Sequence, residues 1–259
     1  MLRLWFCLPV CLLLATDRGD TRPTAQPTPQ AQAEPLPEAD PVTFLEKCLQ
    51  RYDQRGVRGY RLIFHKQERL NGELQPSEEI EVFFREQPHS VFLRWLRGQR
   101  RANSVLYVEG ENDGMMLANP AGLAGRFVKV VARDPEGEEA RQSGRYSLKE
   151  FGLKKTAQRT LRACKAAREK GTLRLEYLGV RQVREAGDRW CYSFRRTCSP
   201  VEGDGVAEVL FYIDKETGVQ VGSSLKGAAG QLIGDYFYRD IQFNPEFKPN
   251  QFDRSALTP

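Results

Sequence analysis

A chain of 259 residues with 40 % apolar side chains is long enough to bury a real core. After the first fifteen residues no segment is apolar over the ~20 positions that a spanning helix needs. The net charge of +5 is modest and its signs are interspersed, which argues against a dedicated nucleic-acid protein and fits contact with anionic lipid or polyanionic surfaces.

The N-terminus reads as a secretory signal peptide over residues 1–20. Arg3 supplies a positive start, Leu4 to Ala15 form an apolar run too short to span a bilayer, and Asp17, Arg18 and Asp20 end it. Ala15 is a plausible last residue of the leader. Val10 before Cys11 and Phe6 before Cys7 do not make a lipoprotein site. Residues 21–41 are rich in Pro, Ala and Gln and have little to bury, so they form a linker ahead of one domain at 42–259.

Val42 to Gln54 is predicted helical, with Phe44, Leu45, Cys48, Leu49 and Tyr52 recurring on one face. Alternation then takes over. Tyr60, Leu62 and Phe64 make one strand, and Asn71-Gly72 is a hairpin turn. Ile80, Val82 and Phe84 make the next, then come the turn Gln87-Pro88-His89 and the series Val91, Leu93, Trp95. Val105 to Tyr107, Met115 to Ala118 and Phe127 to Val131 continue the meander. Ser147 to Glu150 is a capping-box pattern and opens a helix to about Lys170. Its apolar face carries Leu153, Ala157, Leu161, Cys164 and Ala167, and Lys155, Arg159, Arg162 and Lys165 lie on the outer surface. Strands resume at Leu173–Val180, Arg189–Arg195 and Ala207–Ile213. The turn Asp214-Lys215-Glu216-Thr217-Gly218 leads to a return strand from Val219, and Leu232–Phe243 is the last strand, followed by a polar tail from Asn244. Helix, meander, helix, meander gives an α+β fold, an antiparallel sheet with its helices gathered on one side.

Several strings in this order resemble a family of exported bacterial proteins catalogued as a domain of unknown function, number 1571 of that series. They are Tyr60 through Arg69, Arg85 through Val91 with Trp95, Tyr107 through Gly110, Asp134-Pro135, and Arg145 through Leu148 with Phe151-Gly152-Leu153. Arg189-Trp190-Cys191, Tyr212 through Gly218 and Tyr236 through Asp240 with Asn244 and Phe252-Asp253 complete the set, which spans residues 42–254. Val219-Gln220 departs from it, since a proline is usual in the second place. The resemblance implies a LolA-like architecture: an antiparallel half-open β-barrel or strongly curved sheet whose concave side is covered by helices. A fold of that kind does not settle a function.

The sequence shows no HExxH, GxSxG or P-loop motif and no cofactor or metal signature, so no catalytic residue is assigned. His65 and His89 are expected on a sheet face and at the surface. Glu79 and Glu81 sit on a face expected to be exposed, and Asp134-Pro135-Glu136-Gly137 reads as a turn. Outside the leader, Cys48, Cys164, Cys191 and Cys198 form an even set for an oxidising compartment. Cys48 and Cys164, both on apolar helix faces over the same side of the sheet, are the candidate disulfide pair.

The feature above background is one apolar and aromatic surface: Tyr60, Leu62, Phe64, Ile80, Val82, Phe84, Leu93, Trp95, Val105 and Tyr107. If it lines a cavity, the protein is an exported, periplasmic or otherwise extracytoplasmic binding or carrier module for acyl chains, lipid or lipoprotein. If it is filled core, the protein is an envelope structural or interaction module that docks another protein. Neither reading is enzymatic; hydrolysis stands only as a remote third option.

Overall fold

The computed structural model describes residues 37–99, 101–202 and 204–258. The expected leader and most of the Pro-rich linker lie outside the described residues. No described helix is long and apolar enough to cross a membrane.

Helix α1 spans Pro41–Gln54 and starts where the sequence expects it. The Asp40 carboxylate accepts the backbone N–H groups of Val42 and Thr43, each at 3.1 Å, and Pro41 occupies the first turn, where a missing N–H costs nothing. Twelve strands follow among the described residues: β1 (Gly59–Leu70), β2 (Glu73–Leu74), β3 (Glu78–Arg85), β4 (Ser90–Arg97), β5 (Ala102–Val108), β6 (Met116–Pro120), β7 (Val131–Arg133), β8 (Arg174–Val183), β9 (Arg189–Thr197), β10 (Glu208–Asp214), β11 (Gln220–Lys226) and β12 (Leu232–Phe243). Short helices α2 (Ala124–Phe127) and α3 (Glu138–Arg141) flank β7, and α4 (Leu153–Glu169) separates the two meanders.

All pairings are antiparallel, in the order β7-β6-β5-β4-β3-β1-β12-β11-β10-β9-β8, with β2 hanging from β1. The sheet is open, with β7 and β8 as its edges. It is also curled. Val131 on β7 and Arg196 on β9 border the same cavity although nine strand-to-strand steps, ~43 Å in a flat sheet, separate their strands. Register shifts supply bends: Asp240, at φ +55°, lies within the shift between β12 and β1, and Gly179, at φ +86°, within the one between β8 and β9.

The inner face holds the helices. Phe44, Leu45 and Cys48 of α1 and Leu161 and Cys164 of α4 pack on Phe194, Phe211 and Ile213 of β9 and β10. The outer face of the first meander is covered by the C-terminal segment: Phe252 and Leu257 pack with Phe92, Leu106, Val108 and Leu117. The tail from Asn244 is therefore not simply polar and solvated, because three spaced apolar residues, Phe247, Phe252 and Leu257, use it as a strap.

Four further expectations are corrected. The second helix begins at Leu153, not Ser147. The Ser147 hydroxyl accepts the N–H of Lys149 and caps a 3₁₀ turn over Leu148–Glu150, and Gly152, at φ +138°, breaks the path before the α-helix starts. A Cβ at Gly152 would stand 3.1 Å from the Phe84 ring, so the turn there needs glycine for its angle and its closeness alike. His89 is buried rather than at the surface. Its Nε2–H donates to the Leu148 carbonyl at 3.0 Å, and its ring meets Phe84 edge-on. Glu81 is not exposed, because Arg61 and Arg94 fold over it and neutralise it on the outer face, and Glu79 is tied to Arg239 at 2.6 Å. Cys48 and Cys164 do share one cluster under the helices, but each is a free thiol packed as a small apolar group. Burial pushes the Cys48 thiol up to about 12 and the Cys164 thiol up to about 11, so neither is held as a thiolate.

Two outcomes follow from the core around α4's start. Tyr60 is fully buried, stacks on Phe84 at 4.6 Å, and its hydroxyl accepts the N–H of Leu153 at 3.0 Å. Tyr60→Phe strands that N–H and should cost about 1–3 kcal/mol in urea denaturation. Burial holds the His89 imidazole below its usual 6.5, because the charged form is disfavoured in the fold. Its contribution to stability is present above pH 6.5 and is lost as pH falls below it. Thermal melts between pH 6.5 and the onset of carboxylate titration should slope downward in the wild type and flatten in His89→Gln.

Candidate functional site

The site follows from side-chain alternation on β1 and its neighbours. Phe64, Lys66 and Glu68 point inward along β1, Glu78 and Ile80 along β3, and Leu93 and Trp95 along β4. Val105 of β5, Ala118 of β6 and Val131 of β7 continue the apolar row toward the edge. Opposite them stand Thr156, Arg159 and Ala163 of α4, the 135–151 segment with Leu148 and Phe151, and Phe211, Leu225, Tyr236 and Tyr238 of the second meander. Together these walls enclose a cavity of about 530 Å³.

One end is charged. Glu68 and Glu78 are only 3 % and 5 % exposed, and both lie against a single ammonium: Lys66 Nζ is 3.3 Å from Glu68 Oε2 and 2.9 Å from Glu78 Oε2. Lys66 also donates to the Ser143 carbonyl at 3.1 Å. Glu68 Oε1 accepts the Tyr236 hydroxyl at 2.8 Å and the Arg145 N–H at 3.2 Å. Burial, then the Glu68 charge, raise the Tyr236 phenol well above its ordinary value, so it stays a donor. Nearby, the Arg159 guanidinium lies 4.2 Å above the Tyr146 ring, so this residue faces the cavity wall and not the outer helix surface where periodicity had put it. Arg196 holds Glu202 and donates to Cys198 Sγ at 3.2 Å. Buried polar atoms on the wall without a hydrogen-bond partner include Trp95 Nε1, Gln220 Oε1, Arg159 Nη1 and Arg196 Nε. No group of three metal-ligating side chains is found among the described residues.

The protein-family model described as "Protein of unknown function (DUF1571)" matches residues 57–256. The chain belongs to this family. The match takes in every strand and the whole cavity wall and leaves out α1. No curated protein matches the sequence. Solved structures with a similar chain course include a DUF1329 family protein from Desulfovibrio piger, 12 % identical, TM-score 0.43, over 84 % of this chain and 99 % of that one. A second is the Pseudomonas aeruginosa MucA/MucB complex, 16 % identical, TM-score 0.46, over 82 % of this chain and 62 % of that one, so the match spans about three-fifths of the latter. A third is a LolA superfamily protein from Nitrosomonas europaea, 8 % identical, TM-score 0.36, over 82 % and 98 %.

The ten residues singled out from sequence fall into two groups. Phe64, Ile80, Leu93, Trp95 and Val105 line the cavity. Tyr60, Leu62, Val82, Phe84 and Tyr107 lie on the same strands but are packed as filled core beneath His89, Phe151 and Leu153. Sequence reasoning missed the charged end. The signal was present, since Lys66 and Glu68 continue the inward parity of Tyr60, Leu62 and Phe64, and Lys66 faces Glu78 across the hairpin. It also missed Gln220, which sits almost wholly buried on the wall.

The charged end yields one outcome. Removing Lys66 leaves the buried Glu68 carboxylate without its ammonium and takes one partner from Glu78. Lys66→Met should therefore destabilise the fold by about 3–5 kcal/mol. A loss under ~1 kcal/mol in urea titration would show that water screens the cluster.

Proposed function

We propose that this protein is an exported binding or carrier module for an apolar or amphiphilic ligand: an acyl chain, a lipid or a lipoprotein chain. The observation that carries the reading is the cavity itself. A sheet must bury its inner face, and the simplest way is to fill it. Here the parts of the inner face beneath α1 and around the start of α4 are filled, while the part bounded by Phe64, Ile80, Leu93, Trp95 and Val105 keeps about 530 Å³ open. That volume lies within the ~300–1,000 Å³ of small-ligand sites. An apolar floor with a charged end suits a molecule with a tail and a polar head, and Trp95 Nε1 and Gln220 Oε1 offer it a donor and an acceptor. The leader-like residues 1–20 support a location outside the cytoplasm for such a module, whose function is binding rather than catalysis. An interaction module with a filled core gives no role to this space.

Two substitutions on one sheet separate the readings. Leu93 borders the cavity, whereas Val82, its direct cross-strand partner, is fully buried away from it. Leu93→Glu puts a charge where water can reach it, so circular dichroism should show a folded protein while a fluorescent fatty acid is no longer bound. Val82→Glu should cost about 4 kcal/mol or more and unfold the domain. The carrier reading fails if the wild type binds no fatty acid and Leu93→Glu unfolds as Val82→Glu does.

A further inference from the structure

The connection between β6 and β7 carries the largest exposed apolar side chains near the cavity. Leu123 is 71 % exposed, Phe127 86 % and Val128 46 %. Soluble proteins seldom leave such a cluster in water without a use for it. The connection is held at its base: Ala121 N–H donates to the Arg101 carbonyl at 2.9 Å, Asn103 Nδ2 to the Pro120 carbonyl at 3.1 Å, and Asn119 Nδ2 to the Lys129 carbonyl at 2.9 Å. The two residues that flank it, Pro120 and Val131, are themselves cavity wall.

The two strand connections at this end of the sheet carry cations. The β4–β5 turn lies beside the β6–β7 connection, since Ala102 pairs with Pro120. Residues 92–108 and 115–133 contain seven arginines and lysines and no aspartate or glutamate; three of these cations, Arg94, Arg97 and Arg133, are held by Glu81, Glu79 and Glu139 of neighbouring segments. Lys129 and Arg101 are exposed beside the apolar trio. An apolar tip flanked by the exposed cations Arg101 and Lys129 matches the interfacial layer of an anionic bilayer, where the apolar side chains enter the headgroup boundary and the cations meet lipid phosphates.

We propose that the β6–β7 connection, with Leu123, Phe127 and Val128 at its tip, docks this protein on an anionic lipid surface. The part of the cavity wall formed by Pro120 and Val131 then lies next to the bilayer, because these residues flank the connection. The inference stands on this surface and not on what occupies the cavity.

Hydrogen–deuterium exchange of the full chain resolves the question segment by segment, so that attachment through any other part of the chain does not mimic it. With phosphatidylcholine vesicles containing phosphatidylglycerol, peptides covering residues 120–131 should exchange about tenfold more slowly than in the free protein. Phosphatidylcholine vesicles alone should give no such protection. The double variant Leu123→Ser/Phe127→Ser should lose the protection while keeping its melting temperature and its vesicle-free fatty-acid binding. Absent protection at 120–131, equal protection on neutral vesicles, or full protection in the double variant each overturn the proposal. If the wild type shows the protection but binds no fatty acid in vesicle-free solution, the docking surface stands and the carrier reading falls.

Discussion

The pairing of β1 with β12 is the constraint on which the rest depends. It joins Tyr60 to Phe243 and Glu68 to Gly234 across most of the chain length, and it alone converts two local meanders into one sheet. Each meander by itself is built from hairpins whose partners are close in sequence. The β1–β12 seam is a non-local contact, paid for in loop entropy before any side chain packs. What it secures is the inner-face row in which Phe64 stacks on Tyr238 at 5.0 Å and Lys66 stands beside Tyr236. The cavity's apolar floor and its charged end meet along this seam.

Curvature then decides where the core is filled. A twisted sheet bent by register shifts cannot be covered evenly by two helices. Helix α1 and the middle of α4 settle on the second meander, where Phe194 and Phe211 stack at 5.1 Å and receive Phe44, Leu161 and Cys164. Over the first meander the chain supplies no helix of comparable length. The 134–151 segment crosses there instead, anchored by Leu148 to His89 and by Arg145 to Glu68. Backbone anchors at separated points leave space between them, and that space is the cavity. The buried Lys66–Glu68–Glu78 cluster fits the same logic, since a charged group deep in an inner face is tolerated where it is paired and hydrogen-bonded.

Much of the architecture was legible from local pattern. Alternation set the parity of Tyr60, Leu62, Phe64, Ile80, Val82 and Phe84, and the structure keeps all six on one face. The Asp214–Gly218 turn follows from its residues. The buried Asp214 carboxylate accepts the Thr217 N–H at 3.0 Å and pairs with Arg189, and Gly218 takes φ +71°. Helix α1 and most strand limits fall within a few residues of expectation. The second helix was misplaced at its start because Ser147 to Glu150 satisfies a capping pattern that the following Phe151-Gly152 then interrupts.

The sequence by itself determined the main elements, which side chains share a face, and that the sheet is antiparallel, because these depend on dihedral preference and on periods of two and 3.6 residues; the strand expected from Phe127 to Val131 is instead the end of α2 at Phe127 and a strand over Val131–Arg133. It did not determine which part of the apolar face is filled. Phe84 and Ile80 are equivalent in pattern, yet Phe84 is capped by Gly152 and His89 while Ile80 borders open space. Nor could it show that His89 and Glu81 are buried, or that a tail from Asn244 straps the outer face. Those outcomes depend on which distant segments arrive over each strand, and only the curl of the assembled sheet fixes how far they can reach.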